Sequence, residues 1–301
     1  MAGTSLPRRA LGRTLREHRI RSGKGQLVAG LHIEISPQSV GRMEDGRKIK
    51  ISTSQIRDLL DFYGITHPSE ERDEILALWE EVKQQDQAAK TQGTTKGWWR
   101  SYSDQFAAHF DHYLDLESAA DQLTTHQLSL VPGLLQTSAY RRSLTVAADP
   151  ELSAVDVERR LELAARRRTV LDKDGFRMKA LLSEAVLRHQ PGGPVVLAEQ
   201  LRHLIEATER DNLTIRVVPF TAPAPLGLVA RSFALLEFPP LASRLVEPPV
   251  VYVDGYEGAL YLEQSDVIDR HRRAIADLEQ VALSEDATRD LVWSIAKEHA
   301  E

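Results

Sequence analysis

Gln38, Ser39 and Arg42 bring an amide, a hydroxyl and a guanidinium together in one short stretch of the chain. These groups can match the donor and acceptor patterns that base edges present in a DNA major groove. Arg47, Lys48 and Lys50 follow directly and are candidate phosphate contacts. To act together, the three readers must share one face of a rigid element. The surrounding residues supply it. Ser36 is a helix N-cap residue, and Pro37 suits the first helical position. Val40 and Met43 are three apart, so they share a face that can pack inward. Asp45-Gly46 ends the segment. A recognition helix is therefore expected over Ser36–Glu44, with Gln38, Ser39 and Arg42 outward.

The elements before and after it read as helices too. Leu11–Arg21 sets Leu11, Leu15 and Ile20 among four arginines, an amphipathic first helix stopped by Ser22-Gly23. Gln26–His32 is a short second helix. Gln26 at its start is a further candidate phosphate contact, as is Ser36. Gly30 falls where the second helix approaches the third most closely, so a small residue is needed there. Ser54–Phe62 is a fourth helix ended by Gly64, and Pro68-Ser69 opens a fifth that runs to about Lys83. The residues just after Lys83 can continue this helix, and Thr91–Gly97 reads as a linker.

Charge divides the chain in the same place. Residues 1–60 carry 12 Lys/Arg against 5 Asp/Glu, a net of +7, while residues 61–301 carry 26 against 39, a net of −13. A basic module on an acidic body fits a DNA-binding domain joined to a domain with another task. The chain has no cysteine, which excludes disulfides, a thiolate nucleophile and Cys-type zinc sites. It has no apolar run of membrane-spanning length and no signal-peptide core, so a cytoplasmic protein is expected and a membrane partner is not.

The residues Leu11–Arg21, Gln26, Gly30, Ile33, Ile35, Ser36–Glu44, Gly46-Arg47 and Phe62-Tyr63-Gly64-Ile65 together resemble the xenobiotic-response-element (XRE) family of repressor-like helix-turn-helix proteins. The resemblance implies four or five helices and an ion pair between the first helix and the end of the recognition helix, here Arg19 with Glu44. Such a pair is a weak argument for stability, but it can fix helix registry. Two positions depart from the pattern. Glu34 stands in the turn where the family has Gly, because the turn favours positive φ. Lys24-Gly25 replaces the usual capping pair before Gln26.

The second half mixes strands and helices. Strands are expected at Phe176–Leu182, Leu213–Phe220, Phe233–Phe238, Val250–Val253 and Ala259–Leu262. Helices are expected at Val155–Leu171, Pro194–Thr208, Asp266–Leu283 and Glu285–Lys297. Trp98, Trp99, Tyr102, Phe106, Phe110 and Tyr113 recur at helical spacing; of these, Trp98, Trp99 and Tyr102 could form an aromatic pocket for a ligand, and are read instead as the place where the linker docks on the domain. His109 and His112 with Asp111 and Asp115 are read as the wet face of that helix, since no complete metal-ligand set is evident. An Arg, a strand Ser and a loop Glu (Arg231, Ser232 and Glu257, with Glu184) are the elements an ADP-ribosyltransferase uses on NAD. Mixed domains assemble such a set by chance, and no enzymatic activity is expected. The ordered segments Gly97-Trp98-Trp99, Leu130–Thr137, Gly192-Gly193-Pro194, Glu199–Leu204, Val217–Phe220, Leu235–Phe238, and Val250–Val253 with Gly258–Tyr261 resemble long actinobacterial, antitoxin-like XRE regulators whose C-terminal domain is of unknown function.

The expected fold is multi-domain: an all-α, repressor-like helix-turn-helix domain over 8–66, a helix and polar linker over 67–96, and an α+β domain over 97–301. The expected function is sequence-specific binding of double-stranded DNA as a homodimer, because one recognition helix covers only a half-site. The second domain would bind a ligand or a small partner protein. No cofactor or metal is expected. The competing readings are an NAD-using enzyme targeted to DNA and an antitoxin of a toxin–antitoxin-like pair.

Overall fold

The computed structural model describes residues 5–91, 98–107, 110–223, 225–241 and 247–299. They divide into two compact units, 1–100 with 238–247, and 101–237 with 248–301.

The first unit is helical. Its helices are α1 Leu6–Arg21, α2 Gln26–His32, α3 Pro37–Glu44, α4 Thr53–Phe62 and α5 Glu70–Thr91. Leu11, Leu15, Val40, Met43, Ile56 and Leu59 join Ile75, Leu78 and Val82 of α5 in one core. The fifth helix is thus part of the bundle, and it continues past Lys83 to Thr91, as the sequence allows. Of the expected linker Thr91–Gly97, Thr91 is the last residue of α5 and 92–97 lie outside the described residues. Ser52 opens α4 earlier than the expected Ser54, because Ser52 and Gln55 cap each other's backbone.

The helical unit also contains a segment that a division at residue 97 does not foresee. Leu241 packs on the helical core. Glu247, whose side chain is fully buried, accepts hydrogen bonds from Arg9 Nε at 3.1 Å and Arg13 Nη2 at 2.8 Å. The region expected as one contiguous domain, 97–301, therefore gives up 238–247 to the first unit.

The second unit is α+β. A 3-10 turn at Trp98–Tyr102 lies where the units divide. The expected aromatic helix does not run through from Trp98. It breaks after this turn, and α6 covers Phe110–Ala119. Then follow β1 Gln122–Gln127, α7 Ser138–Ala148, α8 Ala154–Arg168, β2 Arg177–Ser183, α9 Glu184–Arg188, α10 Pro194–Ala207, β3 Leu213–Val218, α11 Leu226–Ala230, β4 Phe233–Glu237, β5 Val250–Gly255, β6 Gly258–Leu262, α12 Ser265–Val281 and α13 Glu285–Glu298. The strands form one sheet in the order β3-β2-β1-β4-β5-β6. β1, β2 and β3 are parallel, and β4, β5 and β6 are antiparallel to their neighbours. Leu181, Phe233, Leu235 and Val251 pack with Ile268, Ile275 and Leu278 of α12 in a core on the sheet.

β1, at the sheet's centre, has no counterpart in the sequence reading. Its residues are Gln-Leu-Thr-Thr-His-Gln. Such a polar strand is held inside by hydrogen bonds from Thr125 and from one ring nitrogen of His126, while His126 Nε2 is buried with no hydrogen-bond partner among the described residues. Thr125 Oγ1 donates to the Phe233 carbonyl at 3.1 Å, and His126 Nδ1 lies 2.9 Å from the Leu181 carbonyl.

Candidate nucleic-acid interface

α3 is fixed at both ends. Ser36 Oγ accepts from the Ser39 backbone N–H at 3.1 Å, and Pro37 occupies the first turn. At the other end the Gly46 N–H reaches Met43 O at 2.9 Å and the Arg47 N–H reaches Arg42 O at 2.8 Å. This is a Schellman closure, and it holds the backbone of Arg47 against the helix it follows. Val40 and Met43 are buried, while Gln38 and Arg42 are exposed and Ser39 is half-buried.

Neighbouring helices hold α3 by close backbone approach. A Cβ at Gly30 would lie 2.6 Å from the Ile35 carbonyl oxygen. One at Gly12 of α1 would lie 2.4 Å from the Met43 carbonyl oxygen and 2.8 Å from that of Glu44. Both distances are impossible for a real side chain, so α1 and α2 can meet α3 only with glycine at these points. The sequence pointed to Gly30. Gly12 was not singled out, although it is the one glycine inside the amphipathic first helix.

The turn between α2 and α3 holds Glu34 at φ 58, in the left-handed region that disfavours a side chain. Gln55 Nε2 donates to the Ile33 carbonyl at 2.8 Å, tying this turn to α4. α2 has Gly25 at its N-cap and no side-chain cap.

The Arg19–Glu44 pair is formed. Arg19 Nε and Nη2 donate to Glu44 at 2.5 and 2.9 Å. The hydrogen bond to Glu44 is the main influence raising the Arg19 pKa, against burial, which lowers it. Gln26 Nε2 also donates to Glu44, at 2.9 Å. The Gln26 side chain therefore braces α2 on α3, and this differs from its expected position as a free phosphate donor. Ser36 is likewise occupied, as the cap and in a 2.9 Å contact with Ser39 Oγ.

Ion pairing sorts the basic residues. Arg8 meets Asp86 at 2.7 Å, Arg9 and Arg13 meet Glu247, and Arg16 meets Asp45 at 2.8 Å. Lys48 also meets Asp86, at 3.1 Å. Burial tends to raise the Asp86 pKa, but hydrogen bonds from Arg8 and Lys48 outweigh it and hold the carboxyl below its usual range. Arg42, Arg47 and Lys50 are exposed and make no ion pair among the described residues. Three exposed cations without an acidic partner thus lie on α3 and the segment after it, with Arg57 of α4 a further one, and the arginines of α1 mostly serve internal contacts.

The sequence comparisons agree with this geometry. Residues 10–75 match the family described as Helix-turn-helix domain. Residues 110–293 match the family described as Domain of unknown function (DUF5753). The chain belongs to the DUF5753 family. With a helix-turn-helix domain preceding its DUF5753 domain, it is a DNA-binding regulator. No curated protein and no solved structure is significantly similar to it. Among the described residues no helix is long and apolar enough to cross a membrane.

In the DUF5753 domain, the residues weighed for chemistry are largely occupied. Glu184 Oε1 accepts from Arg188 Nε at 2.8 Å, and its Oε2 accepts from the Phe220 backbone N–H at 3.0 Å. Ser232 Oγ accepts from the Leu128 N–H at 3.1 Å. Arg231 closes α11 at φ 63, and Glu257 is exposed in the turn between β5 and β6. His112 packs on Tyr261 with ring centroids 4.6 Å apart, whereas His109 lies outside the described residues. Trp99 and Tyr102 are buried.

Proposed function

We propose that this chain is an XRE-type transcriptional regulator that reads operator DNA through α3. Gln38 and Arg42 serve as the principal base readers, with Ser39 beside them at the helix start. Arg47 and Lys50 bind phosphates. Lys48 joins them where a phosphate displaces Asp86, and Gln26 and Ser36 contribute only by exchanging internal hydrogen bonds for phosphate ones. The observation that carries this reading is the set of exposed cations without acidic partners, Arg42, Arg47 and Lys50, beside a helix whose ends are both capped.

A homodimer on paired half-sites accompanies this role, since one recognition helix spans only one half-site. The DUF5753 domain receives the signal, as a ligand or a small partner protein, in keeping with the antitoxin-like regulators that its ordered motifs resemble. The role is regulatory rather than enzymatic, because Glu184 and Ser232 are committed to structural hydrogen bonds. Calorimetry with NAD should give no heat of binding. The function is tested by mapping bound DNA across the genome: a recurrent site, including one upstream of the chain's own gene, is expected. No enriched sites, together with no retardation of that upstream DNA, would argue against it.

A further inference from the structure

A cavity of about 740 Å³ opens inside the second unit, between α6, α7, α8 and the face formed by β1, β4 and β5. Its size falls within the roughly 300–1,000 Å³ usual for small-molecule sites. Phe110, Tyr113, Leu163 and Met178 give it an apolar and aromatic wall. Three arginines also line it, Arg141, Arg160 and Arg167, and their counter-ions differ.

Arg167 is neutralised. Its Nε and Nη2 donate to Glu117 at 2.9 and 2.8 Å, and its guanidinium lies 5.0 Å from the Phe110 ring centre. Arg160 has Asp149 at 3.8 Å. Arg141 has no carboxylate partner among the described residues. Its Nη1 makes only a 3.5 Å contact with the Gln136 amide oxygen, and its Nε is buried with no acceptor. Burial, with repulsion from Arg167 and Arg160, pushes its pKa down to about 10. That still leaves it cationic at neutral pH. Of the carboxylates on the wall, Glu117 is committed to Arg167, and Asp254 sits on an exposed stretch. A half-buried guanidinium with a buried, unpartnered Nε and no carboxylate beside it is unfavourable, and an anion entering the cavity relieves it. The guanidinium fork suits a carboxylate or phosphate, and the wall suits an apolar or aromatic body.

We infer that this cavity binds an organic anion, a carboxylate or phosphate ester with an apolar or aromatic body, and that Arg141 is its counter-ion. The inference deepens the reading of this unit as the one that receives a signal, and it rests on that reading only for its regulatory consequence.

The test is isothermal calorimetry on the full chain, without DNA, using 3-phenylpropionate, octanoate and phenyl phosphate. The uncharged 3-phenylpropionamide is the control. At least one anion should bind saturably at one site per chain, and the amide should bind about tenfold or more weakly than its carboxylate. Arg141→Gln should lose about tenfold or more of the anion's affinity. Arg141→Lys should keep most of it. Circular dichroism establishes whether each variant is folded, and the comparison of carboxylate with amide on the native chain keeps the test decisive if the Gln variant is not. No saturable binding by any of the three anions would overturn the inference. So would equal binding by the amide, or undiminished binding by folded Arg141→Gln. Because DNA is absent, failure here is distinct from failure of the operator-binding reading, which is measured without these probes.

Discussion

Glu44, at the last turn of α3, accepts hydrogen bonds from both Nε and Nη2 of Arg19 on α1, at 2.5 and 2.9 Å. Its side chain is fully buried, and Arg19's is 11% exposed. Removing one partner strands the other's charge. Glu44→Ala should therefore destabilise the helical unit by about 3–5 kcal/mol. Replacing both residues with methionine should recover much of that loss. Urea unfolding of the single and double variants checks both; additive losses would mean that the pair does not act as a unit.

Glu34 holds a left-handed conformation at φ 58. A Cβ there costs about 1–2 kcal/mol, and glycine returns part of that gain as unfolded-state entropy. Glu34→Gly should thus stabilise the fold by about 0.5–1 kcal/mol, read as a higher urea midpoint with an unchanged slope. Glu34→Ala keeps the Cβ and should give no comparable gain.

Gly12 faces the carbonyl oxygens of Met43 and Glu44 at distances that exclude a Cβ. Gly12→Ala must push α1 away from the end of the recognition helix, at about 1–3 kcal/mol. DNA affinity, measured at a temperature where the variant remains folded, should fall as well, because the shift moves α3 itself. Loss of stability with full retention of affinity would show that α3 is positioned by other contacts.

His126 titrates against the fold. Burial is the largest influence and lowers its pKa from 6.5, while the hydrogen bond to the Leu181 carbonyl opposes that shift. That carbonyl can only accept, so Nδ1 carries the hydrogen of the neutral ring. With a lower pKa in the folded state, the unfolded chain binds more protons below pH 6.5. Stability should accordingly fall as pH drops below 6.5, by up to about 1.4 kcal/mol per pH unit, until the folded-state pKa is passed. His126→Gln should flatten part of this slope in urea melts at a series of pH values. A remainder is expected from His203, whose pKa is lowered chiefly by burial and also by Arg168.

The helix-turn-helix was legible because its signals are local. Ser36, Pro37, Gly30 and the Val40/Met43 spacing each act within a few residues, and the expected Gln26–His32 helix has the bounds of α2. Glu34 was recognisable as a misfit for the same reason. The charge sum was less informative than it looked. A net of +7 over residues 1–60 does not reveal that Arg8, Arg9, Arg13 and Arg16 are spent on acidic partners. Two of those arginines meet Glu247, more than 230 residues away in sequence, and local reading has no access to such a pair. β1 escaped because Thr125 and His126 are buried by virtue of partners on β4 and β2, not by their own hydropathy. The break in the aromatic stretch after Tyr102 escaped because aromatic spacing alone does not reveal where a helix must restart.

Selection of binding sites from a randomised duplex library, with the full chain and with Gln38→Ala, tests base reading by α3 most directly. The native chain should enrich one motif, and Gln38→Ala should lose about 1–3 kcal/mol on it and relax preference at one base position. Lys50→Ala should instead weaken all sequences alike and reduce the salt dependence. Absence of an enriched motif, or equal losses for Gln38→Ala on selected and random DNA, would contradict base reading by this helix.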